Sequence, residues 1–420
     1  MNMNTNDSKI VSLEDEMNAS KLCKSLLDET LRRGAQTLLK EAIENEVERY
    51  IQAHQDAVDE NGNRLVVRNG HHRKRSIQTG VGTVEVKQPR IRDKRPDSGF
   101  SSSLLPKYMR RCPSLDATVA ALYLKGVSTN AMVEALEPIL GEKALGLSSS
   151  NVTRLMECWR AERKAWDKRD LSSKEYVYVW ADGVYFNVRL SDDRPCVLVL
   201  IGALEDGTKE LIAICDGERE SKLSWKSLLL DVKDRGLRTA PKLAIADGAL
   251  GFWAALEEVF PSTQQQRCWV HKTANVLDKL PKKIQPKAKE SIHEIYMAAT
   301  KEDALKAYDR FIDIYGAKYE KACQCLEKDK EVLMCFYCFP AQHWKHIRTT
   351  NPIESTFATL RHRQRLTKGN GNRESTLAMV YKLATEAQKH WRKISACELL
   401  DKVVQGVCFV DGIETNQKVA

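Results

Sequence analysis

EYVYVWADGVYFNVRL, residues 175–190, decides the fold. Its first part, YVYVWA, is an apolar run of aromatic and β-branched residues, which predicts a strand buried in a sheet. Asp182 follows that run directly, and the stretch as a whole predicts two strands with a break near Gly183. Working outward, SDDRP is a turn and CVLVLIGAL (196–204) has the length of a fully buried strand. SWKSLLLDVKDRG then reads as a helix ended by Gly236, PKLAIADG as a short strand, LGFWAALEEVF as a helix and QQRCWV as another short strand. Three strands, a helix, a strand, a helix and a strand predict a mixed α/β sheet.

The flanks differ in character. On the C-terminal side, residues 272–340 are almost wholly helical in pattern and end at Pro340, as an insertion would. The chain resumes with HWKHIRTTNPIESTFATLRHRQR (343–365) and two closing helical segments. On the N-terminal side, Leu38, Leu39, Ile43, Val47 and Ile51 recur at helical spacing, with a break expected at Gly34. SIQTGVGTVEVKQPRIR (76–92) alternates as a short hairpin does. LDATVAALYLKGVSTNAMVEALEPIL and LSSSNVTRLMECWRAERKAW are helical patterns joined by a loop at Gly141–Gly146, with Ser148 as N-cap. They fit a helix-turn-helix or an ordinary helical hairpin.

The organisation expected is a helical region over 1–60, a basic segment with a hairpin over 61–113 and a helix-turn-helix-like region over 114–170. The first part of the core follows over 171–271, the helical insertion over 272–340, the second part of the core over 341–400 and a tail over 401–420.

Charge points to a polyanionic partner. The net charge is +9, and Arg64 to Arg111 hold thirteen Lys or Arg against three acids, among them Arg73, Lys74, Arg75, Arg90 and Arg92. RHRQRLTKGNGNR (361–373), with Arg361, Arg363 and Arg365, contains no acid. Such clusters suit phosphate contacts, and equally a solvated basic face. Twelve cysteines without framework spacing read as reduced thiols. No stretch approaches the ~18 apolar residues of a membrane helix, and the polar N-terminus has no signal core, so a cytoplasmic, nucleoid-associated protein is expected.

Three carboxylates stand out. Asp182 and Asp247 each end a buried strand and precede a glycine. A carboxylate there is costly unless it is paired or binds a cation, although Asp-Gly alone is also a turn signal. Glu354 lies in NPIE, where Asn351 as N-cap, Pro352 at the first position and Glu354 three after the cap form a capping box. A carboxylate in that first turn can also ligate a metal. Asp192, Asp193, Asp206, Asp216 and Asp234 have no buried strand leading into them and are expected to be solvated. Phosphodiester hydrolysis needs an activated water and stabilised charge on both oxygens, and two Mg²⁺ ions ~3.5–4 Å apart held by carboxylates supply both. Cys268 and His271 have C-x-x-H spacing, a zinc half-site or a polar pair near the site. Cys323, Cys325, Cys335, Cys338, His343 and His346 would be the further ligands by type, or simply core residues.

The segments ADGVYFNVR, IADGALGFW, CWVHK and above all HWKHIRTTNPIESTFATLRHR resemble the Mutator-type transposases of bacterial insertion sequences. RNGHHRKRSIQTGVGTVEVKQPRIRD and YLKGVSTNAMVEALEPILG add to the resemblance, which spans roughly residues 60–395. It implies an RNase H-like mixed-sheet core with a helical insertion, preceded by a mainly helical, basic DNA-binding region. It implies catalytic and metal-binding roles for Asp182, Asp247 and Glu354, with Cys268 and His271 as active-site accessories. The expected cofactor is two Mg²⁺ ions, which Mn²⁺ can replace. The expected partners are double-stranded DNA, as terminal inverted repeats and target, and a second copy of the chain in a dimer, with no membrane. The implied activity is strand cleavage and transfer at element ends. The alternatives are an inactive transposase-derived DNA-binding protein and a plain nuclease.

Overall fold

The computed structural model describes residues 7–127, 131–132, 135–136, 149–185, 196–217, 220–248, 250–358 and 373–415. The chain forms two compact units, Met1–Leu155 and Met156–Ala420.

In the first unit a single helix, Asp7–Gln52, runs through Gly34 without the expected break. One glycine inside a helix costs about 1 kcal/mol, which a long helix absorbs. The helix lays Leu39 and Ile43 on Ile77, Val84, Val86 and Leu105. Strands β1 (Val66–His71), β2 (Arg75–Thr79), β3 (Gly82–Val86) and β4 (Pro89–Asp93) follow. β2 and β3 form the expected hairpin, and β1 pairs antiparallel with β4. Gly82 closes the hairpin turn at φ +97°, a conformation that favours glycine. The helix Pro113–Leu124 buries Leu115 and Val119 against Met132 and Leu136. The loop expected at 141–146 and the N-cap expected at Ser148 lie outside the described residues.

The second unit is built on a five-stranded sheet: β5 (Tyr176–Tyr185), β6 (Cys196–Leu204), β7 (Lys209–Gly217), β8 (Leu243–Ala246) and β9 (Gln264–Arg267). Its order is β7-β6-β5-β8-β9, with β7, β6 and β5 antiparallel and β5, β8 and β9 parallel. The mixed sheet is the one the strand and helix order predicts. β5 does not break at Gly183: the register continues through Gly183 opposite Leu198 to Tyr185 opposite Cys196. The second strand expected within 186–190 falls outside the described residues.

One face of the sheet is covered by the helices Lys222–Asp234 and Leu250–Val259. Trp225, Leu228, Val232, Phe252 and Leu256 pack there on Val179, Ala181, Leu198, Leu200, Ala244 and Ala246. Ser221 caps the first of these helices by accepting from the Ser224 N–H at 3.1 Å.

QQRCWV is strand only to Arg267, because Cys268 is the N-cap of the helix Trp269–Leu277. The helices Gln285–Met297, Lys301–Tyr315 and Glu320–Glu327 then form the expected helical stretch. Cys335–Cys338 is a 3₁₀ turn in which the Cys335 thiol reaches Gln264 Oε1 at 3.3 Å. No helix among the described residues is long and apolar enough to cross a membrane.

Candidate active site

Strand periodicity sets which side chains leave the uncovered face of the sheet. Val179 and Ala181 point to the helices; Tyr178, Trp180 and Asp182 point the other way. On that side the Tyr178 hydroxyl meets His343 Nδ1 at 2.8 Å, and the Trp180 indole N–H donates to His346 O at 3.0 Å. These two bonds tie the segment after the helical insertion across the sheet, and residues 351–358 continue it as a helix. Glu354 is thereby carried toward Asp182, which does not end its strand as expected but lies inside β5, paired with Val199.

Asp247 arrives from the neighbouring strand. Ala181 of β5 pairs in parallel register with Ala246 of β8, so Asp182 and Asp247 follow side by side at the same level. Strands in a sheet lie about 4.8 Å apart. Burial pushes the Asp182 carboxyl up to about 7; His271 opposes that, while the charges of Asp247 and Glu354 add to it. Asp182 is thus within electrostatic reach of both Asp247 and Glu354.

Glu354 is held differently from expectation. Both Ile353 N–H and Glu354 N–H donate to Thr350 O, at 2.9 and 3.1 Å, so the helix is capped by Thr350 and not by Asn351. The Thr350 hydroxyl lies 3.3 Å from Glu354 Oε1, 3.3 Å from His271 Nδ1 and 3.4 Å from Cys268 Sγ. Cys268 Sγ also accepts from the Thr350 N–H at 3.3 Å, and His271 Nε2 lies 3.6 Å from Glu354 Oε1. Cys268 and His271 thus clasp the base of the Glu354 helix. The hydrogen bond to the Cys268 sulfur, helped by the charges of Asp182 and Asp247 against the cost of burial, pushes His271 up to about 9. Among the described residues, Cys268, His271 and Glu354 are a set whose ligand atoms all lie within 4.8 Å of one another. Cys323, Cys325, Cys335 and Cys338 take no part in it.

A fourth carboxylate was not legible as a site residue. Glu220 sits before the Ser221 cap, and its side chain packs where Gly183 lacks a Cβ; any side chain at 183 would overlap it. Burial, then the charges of Asp247 and Asp182, push Glu220 up to about 7. The signal available was a glutamate between a strand and an N-cap serine, with a glycine beside the first aspartate. Gly248 has a similar reason: at φ +90° it leaves room for the Arg267 guanidinium, which pairs with Asp329 at 3.1 Å.

Asp206 and Asp234 are exposed as expected, and Asp216 is an exception. Asp206 accepts from the Thr208 N–H at 2.8 Å in a turn and pairs with Lys393 at 3.0 Å. Asp216 is not in a turn: it lies on β7, half-buried, 3.1 Å from the Arg373 guanidinium. Asp192 and Asp193 lie outside the described residues, as do Arg361, Arg363 and Arg365.

Among the basic residues of the first unit, Arg73, Lys74, Arg90 and Arg92 are exposed. Lys74 pairs with Glu85. Arg75 turns inward and donates to the carbonyls of Leu105 and Pro106 at 3.1 and 3.2 Å, which makes it a brace of the fold. Arg73, Arg75, Arg90, Lys107 and Arg110 line a cleft of about 840 Å³.

Comparison with known proteins decides the family. The family model described as "Transposase, Mutator family" matches residues 5–394. The chain belongs to the Mutator family of transposases. It is 52% identical over 291 residues, 69% of this chain and 90% of the relative, to the transposase for insertion sequence element IS6120 of Mycolicibacterium smegmatis. It is 50% identical over 285 residues, 68% of this chain and 96% of the relative, to the transposase for insertion sequence element IST2 of Acidithiobacillus ferrooxidans. Similarity at 29% identity extends over 372 residues, 87% of this chain and 92% of the relative, to the transposase for IS256 in transposon Tn4001 of Staphylococcus aureus. A transposase acts on DNA.

Proposed function

We propose that this transposase cleaves and joins DNA strands at the terminal inverted repeats of an insertion sequence, with Asp182, Asp247 and Glu354 as its catalytic triad on an RNase H-like core. The observation that carries the reading is the parallel pairing of Ala181 with Ala246, after which the two aspartates follow side by side. The donor set fits Mg²⁺, a hard cation that prefers carboxylate oxygens. Burial, with the charges of Asp247 and Glu354 adding to it, pushes Asp182 up to about 7, and a cation would stabilise its ionised state. Two such ions, Mg²⁺ or Mn²⁺, would activate water or a DNA 3′-hydroxyl and stabilise the leaving oxygen.

The protein's own residues do the rest. Asp182 and Asp247 are fixed by the sheet and present a rigid pair. Glu354 is oriented by Thr350 and His271. His271 carries a positive charge at neutral pH, which offsets the carboxylates and holds Glu354 at a constant reach. Cys268 anchors that clasp from inside the protein, where it is fully buried. A zinc ion on Cys268, His271 and Glu354 would take the carboxylate away from the aspartates, so the clasp is read as positioning.

In the first unit, Arg73, Lys74, Arg90 and Arg92 contact DNA phosphates. The chain works as a homodimer, one copy at each element end. An inactive DNA-binding descendant is the second reading; the complete acid set argues against it. The test is incubation of the full chain with a labelled duplex taken from the DNA flanking its own coding sequence, with Mg²⁺. Nicked and joined products are expected; binding without either product would favour the inactive reading.

A further inference from the structure

On the outer side of the Glu354 helix lies a cavity of about 620 Å³ with an unusual lining. Asn351, Pro352, Glu354, Ser355 and Ala358 form one wall; Lys209, Lys345, His346, Trp391 and Arg392 form the other. Lys209 is 7% exposed, which is rare for a lysine. Its ammonium donates to Arg392 O at 2.9 Å and lies 5.7 Å from the Trp180 ring centre. A carbonyl and a ring face compensate a buried cation only in part. Lys345 and Arg392 bring two more cations to the same cavity, and Glu354 is the one carboxylate among its lining residues. His346 does not add charge: burial and the two lysines push it down to about 4, and it accepts from the Ser395 N–H at 3.1 Å. Net positive charge is thus concentrated in a recess, beside apolar Pro352, Ala358 and the Trp391 ring.

We propose that this recess binds one backbone phosphodiester of the DNA strand being processed, with Lys345 and Arg392 on the phosphate oxygens, Lys209 beneath them and the apolar wall against the deoxyribose. Three cations match a phosphate better than a neutral base edge, and the apolar wall suits a nucleotide better than free phosphate. The contact fixes the strand relative to Glu354, because Glu354 belongs to both the recess and the carboxylate cluster. The inference rests on the DNA reading of the site, not on which acids are catalytic.

The test uses the full chain, Ca²⁺ in place of Mg²⁺ so that binding is read without cleavage, and the flanking-DNA duplex. Single phosphates are replaced one at a time by neutral methylphosphonates, for the native chain and for the double variant Lys345→Gln, Arg392→Gln. Both side chains are exposed, so folding should persist, and thermal unfolding checks it. The expected result is one phosphate position whose neutralisation weakens native binding about tenfold and leaves the variant unchanged. Equal weakening of both proteins at every position overturns the inference and leaves the DNA reading intact. Protection of the native chain by inorganic phosphate alone, without a sensitive position in the DNA, assigns the recess to free phosphate and also overturns it. Failure of the native chain to bind the duplex overturns both.

Discussion

His271 Nε2 stands 3.6 Å from Glu354 Oε1, and its other ring nitrogen lies 3.3 Å from the Thr350 hydroxyl. The imidazole therefore touches both the proposed catalytic glutamate and the residue that caps its helix. His271→Ala should lower single-turnover strand cleavage by about 10–100-fold, the usual effect of losing a group that orients a metal ligand. DNA binding in Ca²⁺ should be unchanged. Retention of the native rate with Tm preserved would remove His271 from the positioning role.

Gly183 and Glu220 are coupled by space. A Cβ at 183 overlaps the Glu220 carboxylate, so Gly183→Ala has to displace Glu220 from its present position. Both Gly183→Ala and Glu220→Gln should slow cleavage at least about tenfold, and the pair together should do little more than either alone. Additive losses would show that the two act separately.

The ionisation of the cluster makes stability depend on pH. Asp182 and Glu220 have folded-state values raised to about 7, so the native chain holds protons that the unfolded chain has released. Stability from these groups is greatest below their unfolded values and falls as pH rises through about 7. His271, raised to about 9, adds stability below its unfolded value that is lost as pH climbs through 9. Without metal, the Tm should fall between pH 5 and pH 9 by an amount equivalent to roughly 1–3 kcal/mol. Because Mg²⁺ competes with those protons, its stabilising effect should be larger at pH 8 than at pH 6. A Tm in metal-free buffer that rises over this range would contradict the clustering of the acids.

Glu354→Ala tests which residue starts the helix. Thr350 supplies the capping carbonyl, so the variant should fold with a Tm close to native while cleavage is lost. Unfolding of Glu354→Ala, with Glu354→Gln stable and active, would return Glu354 to a purely capping role.

Much of this was legible in the sequence because it depended on local pattern. YVYVWA and KLAIA announce buried strands; Asp247 follows the end of its strand, while Asp182 lies within a strand that runs on to Tyr185. What stayed hidden depended on neighbours distant in the chain. Gly34 and Gly183 look like breaks, yet helix continuity overrides one, and pairing with β6 and the packing of Glu220 give the other its place. Asn351 is the better N-cap by type, but the carbonyl that accepts the first helical bonds belongs to Thr350. Arg75 looks like its basic neighbours and differs only because two backbone carbonyls lie within its reach. Glu220 joins the cluster through tertiary packing alone.

The proposed function requires that Asp182 supply a carboxylate to a metal-dependent cleavage site on DNA. The most direct measurement is single-turnover cleavage of the labelled flanking-DNA duplex by Asp182→Asn in Mg²⁺, with binding and Tm measured on the same preparation. Asparagine keeps the shape and removes the anionic charge. Cleavage should be lower by about a thousandfold or more, with binding and Tm retained. Cleavage at the native rate by a folded, DNA-bound Asp182→Asn protein would contradict it.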